Sequence, residues 1–302
     1  MIDCLIIGGG PAGVTAAIYL ARFHLTLRVL DAGESRVTWI PRTRNHAGYP
    51  GGIAGTELLA MMREQAAEFG VGVEQGLVEH LERRGEGFMA RVATGDEIEA
   101  RTVVLATGVV NKGPPMSPEL HDVAMQRGLI RYCPICDGYE VTDKRVGVIG
   151  NRTHGFKEAV FLRTYTRDVT LIAPDQDIEL SDEEHARLAE LGVRAVGGPC
   201  RSLRIEGEAI VVPTPAGDLS FDSVYPALGS VIRSELAVAL GAEAEVDGTL
   251  DVDDHQRTSI PGLYAAGDVV RGLDQISHAM GEGGVAAVTL RNDLAERMVL
   301  AR

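Results

Sequence analysis

The chain lacks the excess of basic charge that binding to phosphates requires. Its 302 residues carry 29 Lys and Arg against 43 Asp and Glu, a net charge of −14. Nucleic acid and anionic membrane surfaces need a basic patch, so neither is expected as a partner. Cysteine is scarce: Cys4, Cys133, Cys136 and Cys200 are the only four. That is too few for a secreted disulfide scaffold of this length, and it points to a reducing, cytoplasmic setting. No membrane anchor or secretory leader is expected either. Residues 4–21 carry no charge, but they hold four glycines and a proline and follow Asp3 rather than a basic flank. Signal peptides and transmembrane helices do not read that way. Low-complexity segments and short-period repeats are absent from the sequence.

What is present is ordinary globular composition, 45% hydrophobic and 24% charged. The length exceeds what one core comfortably supports, so two domains are expected. Residues 3–8 read as a short apolar strand, followed by a glycine turn, a helix over 11–23 and a strand over 25–30. That βαβ opening implies a parallel sheet. Over 55–69 the periodicity is helical, with Leu58, Leu59, Met62, Ala66 and Phe69 on one face. Residues 102–106 form a buried strand that ends at Thr107-Gly108. Pro114 and Pro115 suggest a crossing between domains. A second strand-turn-helix follows: strand 146–149, turn 150–155, helix to 164, then strand 169–173. The same unit thus occurs twice, about 140 residues apart. The expected architecture is α/β, with two Rossmann-like three-layer domains.

Gly8, Gly10 and Gly13 satisfy G-x-G-x-x-G in the order strand, turn, helix. Gly8 permits the tight turn, Gly10 lets a pyrophosphate approach the backbone, and Gly13 lets helix and strand pack closely. The helix N-terminus offers N–H groups and partial positive charge to the phosphates. Asp31 ends the next strand, 18 residues beyond Gly13, where it suits a ribose hydroxyl. The bland alternative is a glycine-rich turn without a ligand.

The chemical centre is Arg131-Tyr132-Cys133-Pro134-Ile135-Cys136-Asp137-Gly138. A C-x-x-C pair closes a small disulfide ring and commonly lowers one thiol's pKa. Asp137 adjoins Cys136 and is placed to carry protons to and from the thiols. The other use of C-x-x-C is half of a zinc site. Zinc needs four ligands, and neither Cys4 nor Cys200 has a second Cys or His at that spacing, so no metal is expected. Cys4 in its buried strand and Cys200 after Pro199 read as inert.

Together these features resemble the low-molecular-weight thioredoxin reductase family over nearly the whole chain. Gly8-Gly9-Gly10-Pro11-Ala12-Gly13 is similar to its FAD pyrophosphate loop. Asn45 to Gly51 (Asn-His-Ala-Gly-Tyr-Pro-Gly) resembles its segment beside the flavin, and Ala106-Thr107-Gly108 its strand end. The run from Cys133 to Gly138 matches its C-x-x-C-D-G. Thr258 to Asp268, ending Ala-Ala-Gly267-Asp268, matches its second FAD signature, whose aspartate binds the ribityl and phosphate region. The resemblance implies that the second domain is inserted into the first. The FAD domain would then be 1–113 and 249–302, and the inserted domain 114–248. It further implies FAD as cofactor, a homodimer, Cys136 facing the flavin and Cys133 exchanging with substrate.

Two segments depart from that pattern. The inserted domain's fingerprint is Gly150-Asn151-Arg152-Thr153-His154-Gly155, with Arg152 at the second glycine, where a side chain blocks the pyrophosphate. The family's His-Arg-Arg for a 2′-phosphate is replaced by Ala173-Pro174-Asp175. The domain therefore either binds NADH, with Asp175 on a ribose hydroxyl, or binds no nicotinamide. A weakened or absent NADPH site is the expectation. The other departure is Asp274-Gln275-Ile276, where the family has Arg-Gln-Ala near the flavin. Gln275 is retained, and the resemblance implies flavin contacts at Gln275 and Ile276. The following Ser277-His278-Ala279-Met280-Gly281 resembles a branch that includes flavin-dependent dithiol oxidases. His278 is either a base near flavin or thiols, or a satisfied histidine at a helix start.

The expected function is FAD-dependent thiol/disulfide exchange through Cys133 and Cys136. The external partner is a thioredoxin-like protein or a small-molecule dithiol. The direction of flow stays open between a reductase and an oxidase that passes electrons to oxygen. A non-catalytic FAD-binding redox sensor is the third reading.

Overall fold

Gly8 and Gly13 fix the first turn because no side chain fits at either. A Cβ on Gly13 would lie 1.9 Å from the Gly8 carbonyl oxygen, and one on Gly8 2.1 Å from that of Ala106. Gly8 also holds φ at +112°, which glycine adopts at no steric cost. In the computed structural model, which describes residues 1–300, this turn joins the strand Ile2–Ile7 to the helix Pro11–Arg22. Pro11 suits the first helical position, where its missing N–H costs nothing.

The chain forms two compact units. The first comprises Met1–Ile40, Ile53–Val110 and the stretch from Val231 onward. Its sheet runs Val73–Gln75, Leu27–Asp31, Ile2–Ile7 and Glu97–Leu105, all parallel neighbours. The strand Glu97–Leu105 then divides its far edge. Its last residues pair in parallel with Leu263–Ala265, and its first pair antiparallel with Gly87–Val92, which continues to Val78–Arg84. Alternating apolar residues of these strands, Leu5, Leu105, Phe88 and Leu263 among them, build one buried core. On one face the Pro11–Arg22 helix lies against Ile276–Arg297, backbone close to backbone. A Cβ on Gly283 would be 2.2 Å from the Ala12 carbonyl oxygen.

The second unit comprises Pro41–Gly52 and Asn111–Ser230. Its parallel sheet has the order Arg194–Val196, Val169–Ile172, Val146–Gly150, Ser223–Ala227. An antiparallel meander, Arg204–Glu206, Ala209–Thr214 and Gly217–Phe221, adds a second sheet. The helix Arg152–Leu162 follows the first strand of the parallel sheet. The strands that enter and leave this unit, Val109–Asn111 and Ser230–Ile232, pair with each other.

Several local expectations shift. The crossing lies at 110/111, ahead of Pro114. The stretch 231–248 packs with the first unit, because Ala237 and Ala242 enter its core. Residues 41–52 group with the second unit. The helix expected after 155 begins at Arg152. The strand expected from 102 begins at Glu97, since its first half pairs with the hairpin. The strand expected over 25–30 is Leu27–Asp31. Phe69 leaves the apolar face of its helix: it is 37% exposed, and the Arg22 guanidinium sits over its ring at 5.0 Å. Cys4 is fully buried, and burial pushes its thiol up to about 12. Among the described residues no helix is long and apolar enough to cross a membrane.

Two stability outcomes follow. Gly283→Ala forces the two helices apart and lowers stability by about 1–3 kcal/mol. Gly281→Ala, with nothing within 4 Å of its Cβ, raises it by roughly 0.8–1 kcal/mol through helix propensity. Thermal unfolding of the two variants separates them. The second outcome concerns Glu158, whose Oε2 is buried without a partner. Burial lifts its carboxyl from 4.5 to about 7. The neighbouring His154, at 3.4 Å, has its own pKa lowered by burial and the Lys157 charge. Between those two pH values the folded state binds the extra proton, so stability falls as pH rises from 4.5 to about 7. Glu158→Gln removes that loss, so its advantage over wild type grows across this window to roughly 3 kcal/mol at most and then levels off.

Candidate active site

Cys133 and Cys136 close a disulfide, with their Cα atoms 5.2 Å apart. Cys133 is the N-cap of the short helix Pro134–Asp137, and its Sγ accepts the Cys136 N–H at 3.1 Å. Pro134 at the first helical position bends the chain into the turn that brings the sulfurs together. Ile135, between them, is 52% exposed, and Tyr139 just beyond is 80% exposed.

Asp137 is held by two residues that no motif announced. Arg131 Nη1 donates to Oδ2 at 2.9 Å, and the fully buried Tyr225 donates its hydroxyl to Oδ1 at 2.9 Å. Burial raises the carboxyl's pKa, while the Arg131 charge and the Tyr225 hydroxyl pull it back. Tyr225 itself is pushed far up by burial and by the Asp137 charge. The result is a carboxyl beside the disulfide that holds its proton to higher pH than an ordinary aspartate. Nearby, His121 Nε2 and the Tyr132 hydroxyl lie 2.7 Å apart. Residues 41–52 reach the same neighbourhood through Arg44, 3.5 Å from Glu140. In that segment Asn45 Oδ1 accepts from Thr43, and His46 stacks on Tyr49.

In the first unit the glycine turn passes a test for a dinucleotide. Gly8, Gly9 and Gly13 are required by packing alone, Gly9 because its Cβ would lie 2.7 Å from Val73 and 2.8 Å from Asp31. Gly10 is different. Its missing side chain leaves a space bordered only by Ser35 Oγ, at 3.0 Å. As N-cap it brings no side-chain hydrogen bond, and the first helical turn holds no acid. A helix start lacking its own anion next to an unfilled cradle suits a pyrophosphate. Asp31 lies beside it, its carboxylate bound by Arg63, which also donates to the Gly9 carbonyl at 3.1 Å. Ala106-Thr107-Gly108 ends its strand as expected, Thr107 donating to the Arg233 carbonyl and Gly108 taking φ +64°.

Gly267 and Asp268 form the turn after the strand Leu263–Ala265, and Gln275 is the N-cap of the helix Ile276–Arg297. Burial raises the Asp268 pKa, and the Arg36 charge opposes it. Arg36 Nε is 3.5 Å from Asp268 and its Nη1 3.1 Å from Asp274. Arg36 thus bridges the two acids. His278 meets Glu282 at 2.9 Å. Arg36, Arg63, Tyr225 and Glu282 escape the sequence reading, and Arg131 stands in the run around the cysteines without a role of its own. Only Glu282 left a trace, as a lone charge among glycines and alanines.

In the second unit's turn, Gly150 and Gly155 keep the tight contact: a Cβ on Gly155 would lie 2.7 Å from the Gly150 carbonyl carbon. Asn151 donates to the Asp177 carbonyl at 3.2 Å and accepts the Glu179 N–H at 2.7 Å. Arg152, with φ +52°, turns its side chain to Glu179 at 2.8 Å.

Residues 2–283 match the family model described as pyridine nucleotide-disulphide oxidoreductase. Among curated relatives, the chain is 33% identical to a thioredoxin reductase of Mycolicibacterium smegmatis, over 98% of this chain and 97% of that one. It is 29% identical to that of Bacillus subtilis, over 97% and 95%. Among solved structures, HlmI superposes with a TM-score of 0.88 at 30% identity, covering 98% of this chain and 93% of that one. The thioredoxin reductase of Streptococcus pyogenes gives 0.89 at 28% identity, covering 98% and 99%. The chain therefore belongs to the pyridine nucleotide-disulphide oxidoreductase family, in its low-molecular-weight thioredoxin reductase-like branch, and is a flavoprotein oxidoreductase acting on a sulfur group.

Proposed function

We propose that the protein exchanges electrons between FAD, the Cys133–Cys136 pair and an external dithiol or disulfide. The observation that carries this is the disulfide closed at a helix start beside a half-buried Asp137, whose carboxyl Arg131 and Tyr225 hold in place. FAD would be held by the Gly8–Gly13 turn, with Asp31 and Asp268 toward its ribose and ribityl hydroxyls; when bound it supplies a two-electron source or sink. The remaining work belongs to the protein. A substrate thiolate attacks Cys133 Sγ, forms a mixed disulfide and displaces Cys136 as a thiolate, which takes a proton. The substrate's second thiol then attacks the mixed disulfide, leaves as a disulfide and releases Cys133. Two electrons and two protons have passed from substrate to the pair. Run in reverse, the same steps reduce an external disulfide. Asp137 serves as the proton carrier, with Arg131 and Tyr225 keeping its carboxyl in place.

The relatives' names support a thioredoxin-like partner. A second reading, inward flow from a small dithiol with oxygen as the final acceptor, draws support from the second unit. Its turn is bridged by its own Asn151, Arg152 and Glu179, and Ala173-Pro174-Asp175 offers no cation to a 2′-phosphate. Each lost charged hydrogen bond costs on the order of 1.5–3 kcal/mol, so two weaken NADPH by roughly a hundredfold or more.

Anaerobic mixing of the purified protein with NADPH, NADH or a dithiol checks both readings through the flavin absorbance. The dithiol is expected to reduce the flavin in the wild type and to fail in Cys136→Ser. NADPH is expected to act slowly or not at all, and no faster than NADH. Rapid reduction by micromolar NADPH would overturn the second reading and restore an NADPH-driven reductase.

A further inference from the structure

The Gly267–Asp268 turn is gripped from behind by Glu282. This residue lies on the Ile276–Arg297 helix and is only 7% exposed. Both of its carboxylate oxygens are in use. Oε2 accepts the Gly267 N–H at 2.7 Å, and Oε1 meets His278 Nε2 at 2.9 Å. Gly267 is wedged between the unit's two packed helices: with φ +81°, a Cβ there would lie 3.0 Å from the Ala12 Cβ and 3.6 Å from the Ala279 Cβ. Gly272 crosses over the His278–Glu282 pair, where a Cβ would fall 2.7 Å from Nε2 and 3.1 Å from Oε1.

Burying a carboxylate here is costly, and a second carboxylate, Asp268, raises the cost. Burial lifts the Glu282 pKa, the Asp268 charge adds to the lift, and the Gly267 N–H and His278 oppose it. The charged groups around the turn are Asp268, Glu282, His278, Arg36 and Asp274. A buried acid in that setting, placed against the amide that precedes Asp268, fixes a direction rather than filling space.

We propose that Glu282 is a positioning residue for the flavin half of the cofactor. Its hydrogen bond sets the Gly267 peptide and so aims the Asp268 carboxylate, and His278 holds Glu282 in that pose. This rests on the reading of the chain as an FAD enzyme with Asp268 on the ribityl side. The Gly8–Gly13 turn, which would take the pyrophosphate, touches Gly267 through the Ala12 side chain, but it is closed by its own backbone contacts at the Gly8 and Ala106 carbonyls, whereas the two Glu282 oxygens are spent on Gly267 and His278. The two halves of the cofactor are therefore separable.

The test is calorimetric titration of flavin-free protein with FAD and, separately, with ADP, which carries the adenosine and pyrophosphate but no flavin. Glu282→Leu removes the acceptor and weakens FAD by about tenfold or more, the value of a lost hydrogen bond to a charged group. ADP affinity stays within about twofold, since its contacts lie at the other turn. Glu282→Gln, whose amide oxygen still accepts the Gly267 N–H, recovers most of the FAD affinity. Gly272→Ala keeps every charge and crowds the His278–Glu282 Oε1 contact while leaving the Oε2 that holds Gly267 untouched; it gives a smaller loss with the same selectivity for FAD. Equal weakening of FAD and ADP, or no weakening of FAD, would overturn the proposal while leaving the flavoprotein reading intact. Wild-type protein that takes up neither ligand would overturn that reading and this inference with it.

Discussion

The first unit depends on one constraint, the approach of backbone to backbone around the Gly8 turn. The carbonyls of Ala106, Gly8 and Ala12 each occupy the place where a side chain of Gly8, Gly13 or Gly283 would stand. That convergence draws the central strand, its neighbour and the two packed helices to one point. It also exposes the start of the Pro11–Arg22 helix beside Gly10, whose own absent side chain serves no packing purpose. Close packing and ligand space come from the same residue type for different reasons.

Around this frame the functional groups share one electrostatic design. Glu282 is buried and Asp137 and Asp268 are half-buried, and burial raises the pKa of each. Each is restrained by a cation or hydrogen-bond donor: Arg131 and Tyr225, Arg36, and His278 with the Gly267 amide. Leaving such a group without its partner costs several kcal/mol. The partners therefore fix orientation as well as charge. Asp274 extends the pattern, because it too is paired with Arg36.

The sequence carried the motifs well, because turns and short-range spacing are local. The Gly8–Gly13 loop, the C-x-x-C pair and the Gly267–Asp268 signature all stand at the ends of strands or helices, as read. The supporting partners were illegible for the opposite reason. Arg36 reaches Asp268 across more than two hundred residues, and Tyr225 reaches Asp137 across 88. No periodicity encodes such pairs. His278 reads from the sequence as either a base near flavin or thiols or a satisfied histidine at a helix start, and the fold adds its partner Glu282 at 2.9 Å, one helical turn on. In the second unit Gly150 and Gly155 keep the packing contact of the fingerprint, while its second glycine position carries Arg152. The substitution is legible locally; the contacts of Asn151 and Arg152 with Asp177 and Glu179 appear only in the fold.

The central claim is that a flavin and the Cys133–Cys136 disulfide form one redox system in this chain. Anaerobic titration of the FAD-loaded protein with dithionite, followed by flavin absorbance and thiol counting, tests it most directly. The account predicts uptake of reducing equivalents for two centres per chain, with both thiols appearing as the flavin bleaches. In a Cys136→Ser variant uptake should fall to that of the flavin alone. Wild-type protein that takes up only enough to reduce its flavin, with the disulfide left intact, would contradict it.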